Sequence, residues 1–122
     1  MTRVQLVDPS AFTAPYDHAL AHALARAGAD VTLFTSRFAY GSVPVPEGYR
    51  RLELFYRHAP GAAGSWPRRL AKLAQHGPDM LRYRRLAASA DVAHFQWFDL
   101  PWLDRHLLPR GPVVLTAHDL LP

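Results

Sequence analysis

The chain has 122 residues, 49% hydrophobic and 20% charged, which suits one domain with a filled core and excludes an intrinsically disordered segment. It contains no cysteine, so disulfides, thiolate nucleophiles and cysteine-ligated zinc or iron–sulfur centres are excluded. The formal charge of +4 is uneven: residues 50–86 hold nine of the fourteen basic side chains against only Glu53 and Asp79 as acids. Such a segment suits nucleic acid, phosphate groups or an anionic membrane surface, or is simply a solvated helix face. No apolar run approaches the roughly 20 residues that span a bilayer. The N-terminus runs into Asp8-Pro9 without the apolar core of a signal peptide, so a cytoplasmic location is expected.

Residues 3–7 form a β-branched and aliphatic run stopped by Asp8-Pro9, the pattern of a buried strand. A helical pattern then starts near Tyr16 and puts Tyr16, Leu20, Ala23, Leu24 and Ala27 on one face. Thr13 can cap this helix, Pro15 suits its first turn, and Asp17 complements the helix dipole there. Gly28 ends it, because glycine takes the left-handed conformation without steric cost. Residues 31–35 make a second strand, which completes a βαβ unit.

Residues 36–48, with Gly41, Pro44, Pro46 and Gly48, read as an irregular loop. Residues 50–57 suggest a third strand, placed towards an edge by its three arginines. Two helices separated by Gly77-Pro78 are expected next, the first turning Trp66, Leu70 and Leu73 inward, the second Met80, Tyr83, Leu86 and Ala87. Residues 91–96 and 112–116 read as a fourth and a fifth strand, with a helix over 101–107 between them.

Alternating strands and helices with right-handed crossovers imply an α/β fold, a Rossmann-like doubly wound parallel sheet of about five strands ordered 3-2-1-4-5. Ligands bind such sheets at the carboxyl ends of the strands beside the switch point, here residues 8–16, 36–38, 96–99 and 117–119. The chain ends at Leu120-Leu121-Pro122 just after the fifth strand, with no covering helix to follow, which suggests an incomplete domain.

His18 and His22 have the i, i+4 spacing of a helical metal site, but Ala19 stands where the usual zinc motif has glutamate and no third ligand is evident, so no metal is expected. The loop from Asp8 to Pro15 contains no glycine, which argues against dinucleotide and P-loop phosphate binding, although the helix start near Thr13 and Tyr16 can still meet an anion. His94, Gln96 and Trp97 close the fourth strand and Thr116, His118 and Asp119 the fifth, so both sets project into one crevice. Imidazole, carboxylate and an indole face suit polyhydroxylated ligands such as sugars. His94 also fits a core histidine bonded to backbone.

Three segments resemble family 4 glycosyltransferases of GT-B fold. They are residues 7–31, with Val7-Asp8-Pro9 and Gly28-Ala29-Asp30-Val31; Ala90-Asp91-Val92-Ala93-His94-Phe95-Gln96-Trp97; and Pro112-Val113-Val114-Leu115-Thr116-Ala117-His118-Asp119. The resemblance covers most of the chain in the correct order. It implies a retaining glycosyltransferase that uses a nucleotide-sugar as co-substrate, without cofactor or metal in the site, built from two facing Rossmann-like domains. Residues 1–122 then form the N-terminal, acceptor-side domain, incomplete at its end, with the C-terminal donor domain absent and the isolated chain inactive. The resemblance assigns His118 a catalytic role beside the transferred sugar. Thr13, Tyr16, His94, Gln96, Trp97 and Asp119 join it as candidate substrate-binding residues. The family often has a glycine pair in its first loop, and this chain has Thr13-Ala14-Pro15-Tyr16 there.

The competing reading is a non-catalytic Rossmann-like module that binds a sugar or an anion. Peripheral contact of residues 66–85 with an anionic membrane, at its inner face, is a further expectation. Nucleic-acid binding through residues 50–86 has no recognised motif behind it.

Overall fold

The computed structural model describes residues 1–38, 41–59 and 64–118. Its strands are β1 (Arg3–Asp8), β2 (Asp30–Thr35), β3 (Arg50–Glu53), β4 (Val92–Phe95) and β5 (Val113–Leu115). Its helices are α1 (Ala14–Arg26), α2 (Trp66–Leu86) and the single turn α3 (Pro101–Asp104), with a 3₁₀ turn at Ala87–Ser89. The strands make one sheet ordered β3-β2-β1-β4-β5, every neighbouring pair parallel. The Rossmann-like α/β layout and the strand order are those expected from the sequence, and β3 lies at an edge.

Period-two alternation divides the core between the two sheet faces. Leu6, Val31 and Leu33 pack with Ala21, Leu20 and Leu24 of α1. Val7, Phe34, Ala93 and Phe95 pack with Met80 and Tyr83 of α2. Leu6 pairs with Leu33 and with His94, so the register carries the α1-side face onto β4. Around Tyr83, the Phe34, Phe55 and Phe95 rings stand at centroid distances of 5.2, 6.4 and 5.8 Å.

Four local expectations are corrected. The third strand ends at Glu53, and Leu54, Phe55 and Tyr56 leave it as a buried loop. The inward face of α1 centres on Asp17, Leu20, Ala21 and Leu24, while Tyr16, Ala23 and Ala27 face solvent. Gly77-Pro78 does not separate two helices, because α2 runs through it. A proline disfavours helix in the preceding residue by colliding with its Cβ, and Gly77 has none. Pro78 itself is exposed, so the carbonyl it leaves unbonded can meet water. Finally, Trp66, Leu70 and Leu73 of α2 point outward at 69%, 52% and 55% exposure, as does Leu86, while Arg68, His76 and Asp79 are buried. Partners explain the inversion. Arg68 Nη1 donates to the Ala59 carbonyl at 3.0 Å, Asp79 accepts from the Tyr56 backbone N–H at 2.8 Å, and His76 bonds Tyr56 and Asp104.

Pro78→Ala should restore a helix hydrogen bond at an exposed position. We expect it to stabilise the chain by about 1–3 kcal/mol, read as a higher urea midpoint at unchanged m-value.

Candidate functional site

The carboxyl ends of β1, β4 and β5 bring most of the expected residues together. The His118 ring stacks on Trp97 at 4.7 Å between centroids and 14° between planes. Tyr16 meets His118 edge-on at 5.3 Å. His118 Nε2 lies 3.1 Å from Gln96 Oε1, an acceptor, so Nε2 carries a proton and donates. In the neutral ring Nδ1 is then an acceptor for a ligand hydroxyl. Gln96 is fully buried, and its Nε2 has no partner among the described residues. Trp97 Nε1 donates to Thr13 Oγ1 at 3.2 Å, which joins the end of β4 to the start of α1. His94 Nε2 is 2.6 Å from Thr116 Oγ1, so its partner is a side chain just past the end of β5 rather than backbone. Burial, then the proximity of His118, lowers the His94 pKa below the ordinary imidazole value. Asp119 lies outside the described residues.

The loop between β1 and α1 departs from expectation in its electrostatics. Thr13 sits at the N-cap position without a capping side-chain bond. Its hydroxyl lies 3.3 Å from Asp8 Oδ2 and 3.1 Å from Asp17 Oδ1, and it has one proton for the two. The backbone N–H groups of Phe12 and Thr13 donate to the Asp8 carboxylate at 3.2 and 3.1 Å, so an internal anion already occupies donors that could have met a ligand anion. Asp17 does not serve the helix dipole as a charge: burial, reinforced by Asp8, pushes its pKa up to about 9. His18 and His22 stack in parallel 6.2 Å apart, their Nδ1 atoms engaged by Tyr49 OH at 2.8 Å and the Glu47 carbonyl at 3.0 Å.

A second constellation was not anticipated as a set. Lys72 Nζ donates to Ser10 Oγ at 2.7 Å, and Ser10 Oγ donates to Asp99 Oδ2. The Tyr56 hydroxyl donates to the same Oδ2 at 2.6 Å and lies 2.7 Å from His76 Nδ1, while His76 Nε2 meets Asp104 Oδ1. Burial raises the pKa of both Asp99 and Tyr56. Tyr56 and Ala11 both have φ of 55°, the left-handed region that non-glycine residues rarely adopt, so the loops after β3 and β1 both store strain here. The network opens on a cleft of about 310 Å³ that Phe12, Arg69 and Lys72 help to line. The rule that ligands sit at strand ends had marked the segments containing Ser10 and Asp99. Tyr56, Lys72, His76 and Asp104 carry no local spacing signal, because they come from three separate stretches of chain.

No protein-family model matches the chain, and a search of curated proteins finds no match to it.

The Asp17 pKa lies above that of an unfolded aspartate, so its contribution is fully present below about pH 4 and is lost as pH rises through about 9. Wild-type stability should therefore fall between pH 5 and pH 9. Asp17→Asn should flatten that dependence and stabilise the chain by at least about 1 kcal/mol at pH 8. Urea denaturation across that pH range checks it.

Proposed function

We propose that the chain is the acceptor-side domain of a retaining, GT-B-type glycosyltransferase, acting on a nucleotide-sugar donor. In this reading His118 hydrogen-bonds the transferred sugar. What supports it is the stacking of His118 on Trp97, with Gln96 and Tyr16 beside it, at the carboxyl ends of β4 and β5 in a parallel sheet of order 3-2-1-4-5. Imidazole, indole and phenol rings offer flat faces to the C–H side of a sugar ring, while His118 Nδ1 accepts from a hydroxyl. Thr13 holds Trp97 from the opposite loop, and His94 stands next to Thr116.

Transfer develops positive charge at the anomeric carbon and negative charge on the departing diphosphate, and both need preorganised groups in a cleft that excludes water. This wall brings one side of that cleft. A second domain brings the donor-diphosphate contacts. Purified residues 1–122 should release no nucleoside diphosphate from sugar nucleotides above the protein-free rate. Joined to a donor domain, the chain should transfer sugar, and His118→Ala should cut turnover by about 100-fold with circular dichroism unchanged. Release by the chain alone, or full turnover in His118→Ala, removes this reading. Saturable sugar binding without transfer in any such combination favours a non-catalytic binding module instead.

Peripheral attachment to an anionic bilayer at the inner face of the membrane accompanies this proposal. The observation behind it is the outward stripe of Trp66, Leu70 and Leu73 on a helix bearing Arg68, Arg69, Lys72, Arg82, Arg84 and Arg85 against the single acid Asp79, which Tyr56 and Arg82 engage. Among the described residues no helix is long and apolar enough to cross a membrane. The chain should sediment with anionic vesicles at low salt. Trp66→Ala with Leu70→Ala should abolish sedimentation while leaving the fold intact.

A further inference from the structure

The cleft between the β1 loop and α2 is distinct from the His118 cluster and shares one wall with it. Phe12 presents its ring to Lys72 Nζ, 5.8 Å from the centroid, and also packs edge-on against Trp97 at 5.6 Å. Lys72 Nζ stands 4.8 Å from the centroid of Tyr56 as well. Half-burial lowers the pKa of this lysine, and no carboxylate lies within 4.0 Å of it among the described residues. Of its three N–H donors, one goes to Ser10. Arg69, one helical turn away on the same side, lines the same cleft with its five donors. The hydroxyls behind them are already committed, since Ser10 and Tyr56 both donate to Asp99 Oδ2. Asp99 Oδ1 is shut off from solvent. The cleft is therefore lined by two cationic side chains, while Asp99, whose charge Lys72 feels, already accepts from two hydroxyls. Phe12, Leu73 and Leu100 supply apolar wall beside them.

We propose that this cleft binds a phosphate monoester, with the phosphate between Lys72 and Arg69 and the esterified group on Phe12, Leu73 and Leu100. A dianionic phosphate matches one point charge and one planar fork of donors, and it restores to Lys72 the solvation that burial removed. The backbone N–H groups of the β1 loop do not compete for it, because Asp8 holds those of Phe12 and Thr13. The inference does not rest on glycosyl transfer, and it is read by binding alone.

The test titrates the ¹⁵N-labelled chain with phenyl phosphate, inorganic phosphate and phenol in parallel, following amide shifts. Phenyl phosphate should give saturable shifts at Ser10, Phe12, Lys72 and Leu73, and should bind more tightly than inorganic phosphate or phenol. Lys72→Met and Arg69→Gln should each weaken phenyl phosphate about tenfold and leave phenol unchanged. Lys72→Met removes the charge from a side chain of similar length, and Arg69 is exposed, so Arg69→Gln decides the matter should the lysine variant lose its native amide dispersion. No saturation at about 10 mM phenyl phosphate, or binding that both folded variants retain at wild-type strength, overturns the proposal. Inorganic phosphate binding as tightly as phenyl phosphate overturns the role given to Phe12, Leu73 and Leu100.

Discussion

The carboxylate of Asp8, fully buried at the end of the central strand, organises the edge of the sheet where the candidate residues meet. Its backbone carbonyl accepts from Thr35 Oγ1 at 2.8 Å and from the Ala11 amide at 3.1 Å, tying the end of β1 to the end of β2 and closing the turn that follows. Its side chain accepts from the amides of Phe12 and Thr13 and so sets the course of the loop. Two consequences follow from that course. Thr13 reaches Trp97, which carries His118, and Ser10 reaches Asp99 and Lys72 on the other side. A buried anion held by backbone donors suits this role because unmaking it would strand a charge away from water. Beside it, burial and the proximity of Asp8 raise the pKa of Asp17.

The two helices meet the sheet by different means. Against α1 the contact is aliphatic, with Leu20, Ala21 and Leu24 over Leu6 and Leu33. Against α2 it is apolar only towards the C-terminal end, at Met80 and Tyr83. The earlier turns bury Arg68 and His76 and half-bury Lys72. Each of these polar groups finds a partner on a loop, so burial is not left uncompensated. The apolar side chains that periodicity would have turned inward are left outside. Both the cleft and the exposed Trp66–Leu70–Leu73 stripe arise from this single rotation of the helix.

Much of the arrangement was legible in the residues. The run at 3–7, the glycine after α1 and the apolar run at 31–35 are local signals, and strands two to four residues longer or shorter do not alter the sheet order they imply. Because the ends of parallel strands face one way, strand order alone puts Gln96, Trp97 and His118 in one crevice. The continuous helix across Gly77-Pro78 was not legible, since it depends on a glycine relieving a clash that proline normally imposes. Nor was the link from Tyr56 to His76 and Asp104, whose members come from different loops and helices and meet only because Tyr56 accepts a left-handed backbone conformation.

The sequence by itself determined the α/β class, the strand order and the segments at the ligand-binding edge, because alternation, helix periodicity and turn chemistry act over a few residues. Only the tertiary structure decided which face of α2 is buried, that the Asp17 pKa is raised and which side chains surround Lys72. Those outcomes depend on desolvation and on hydrogen-bond partners brought from distant parts of the chain, and no local pattern of residues encodes either.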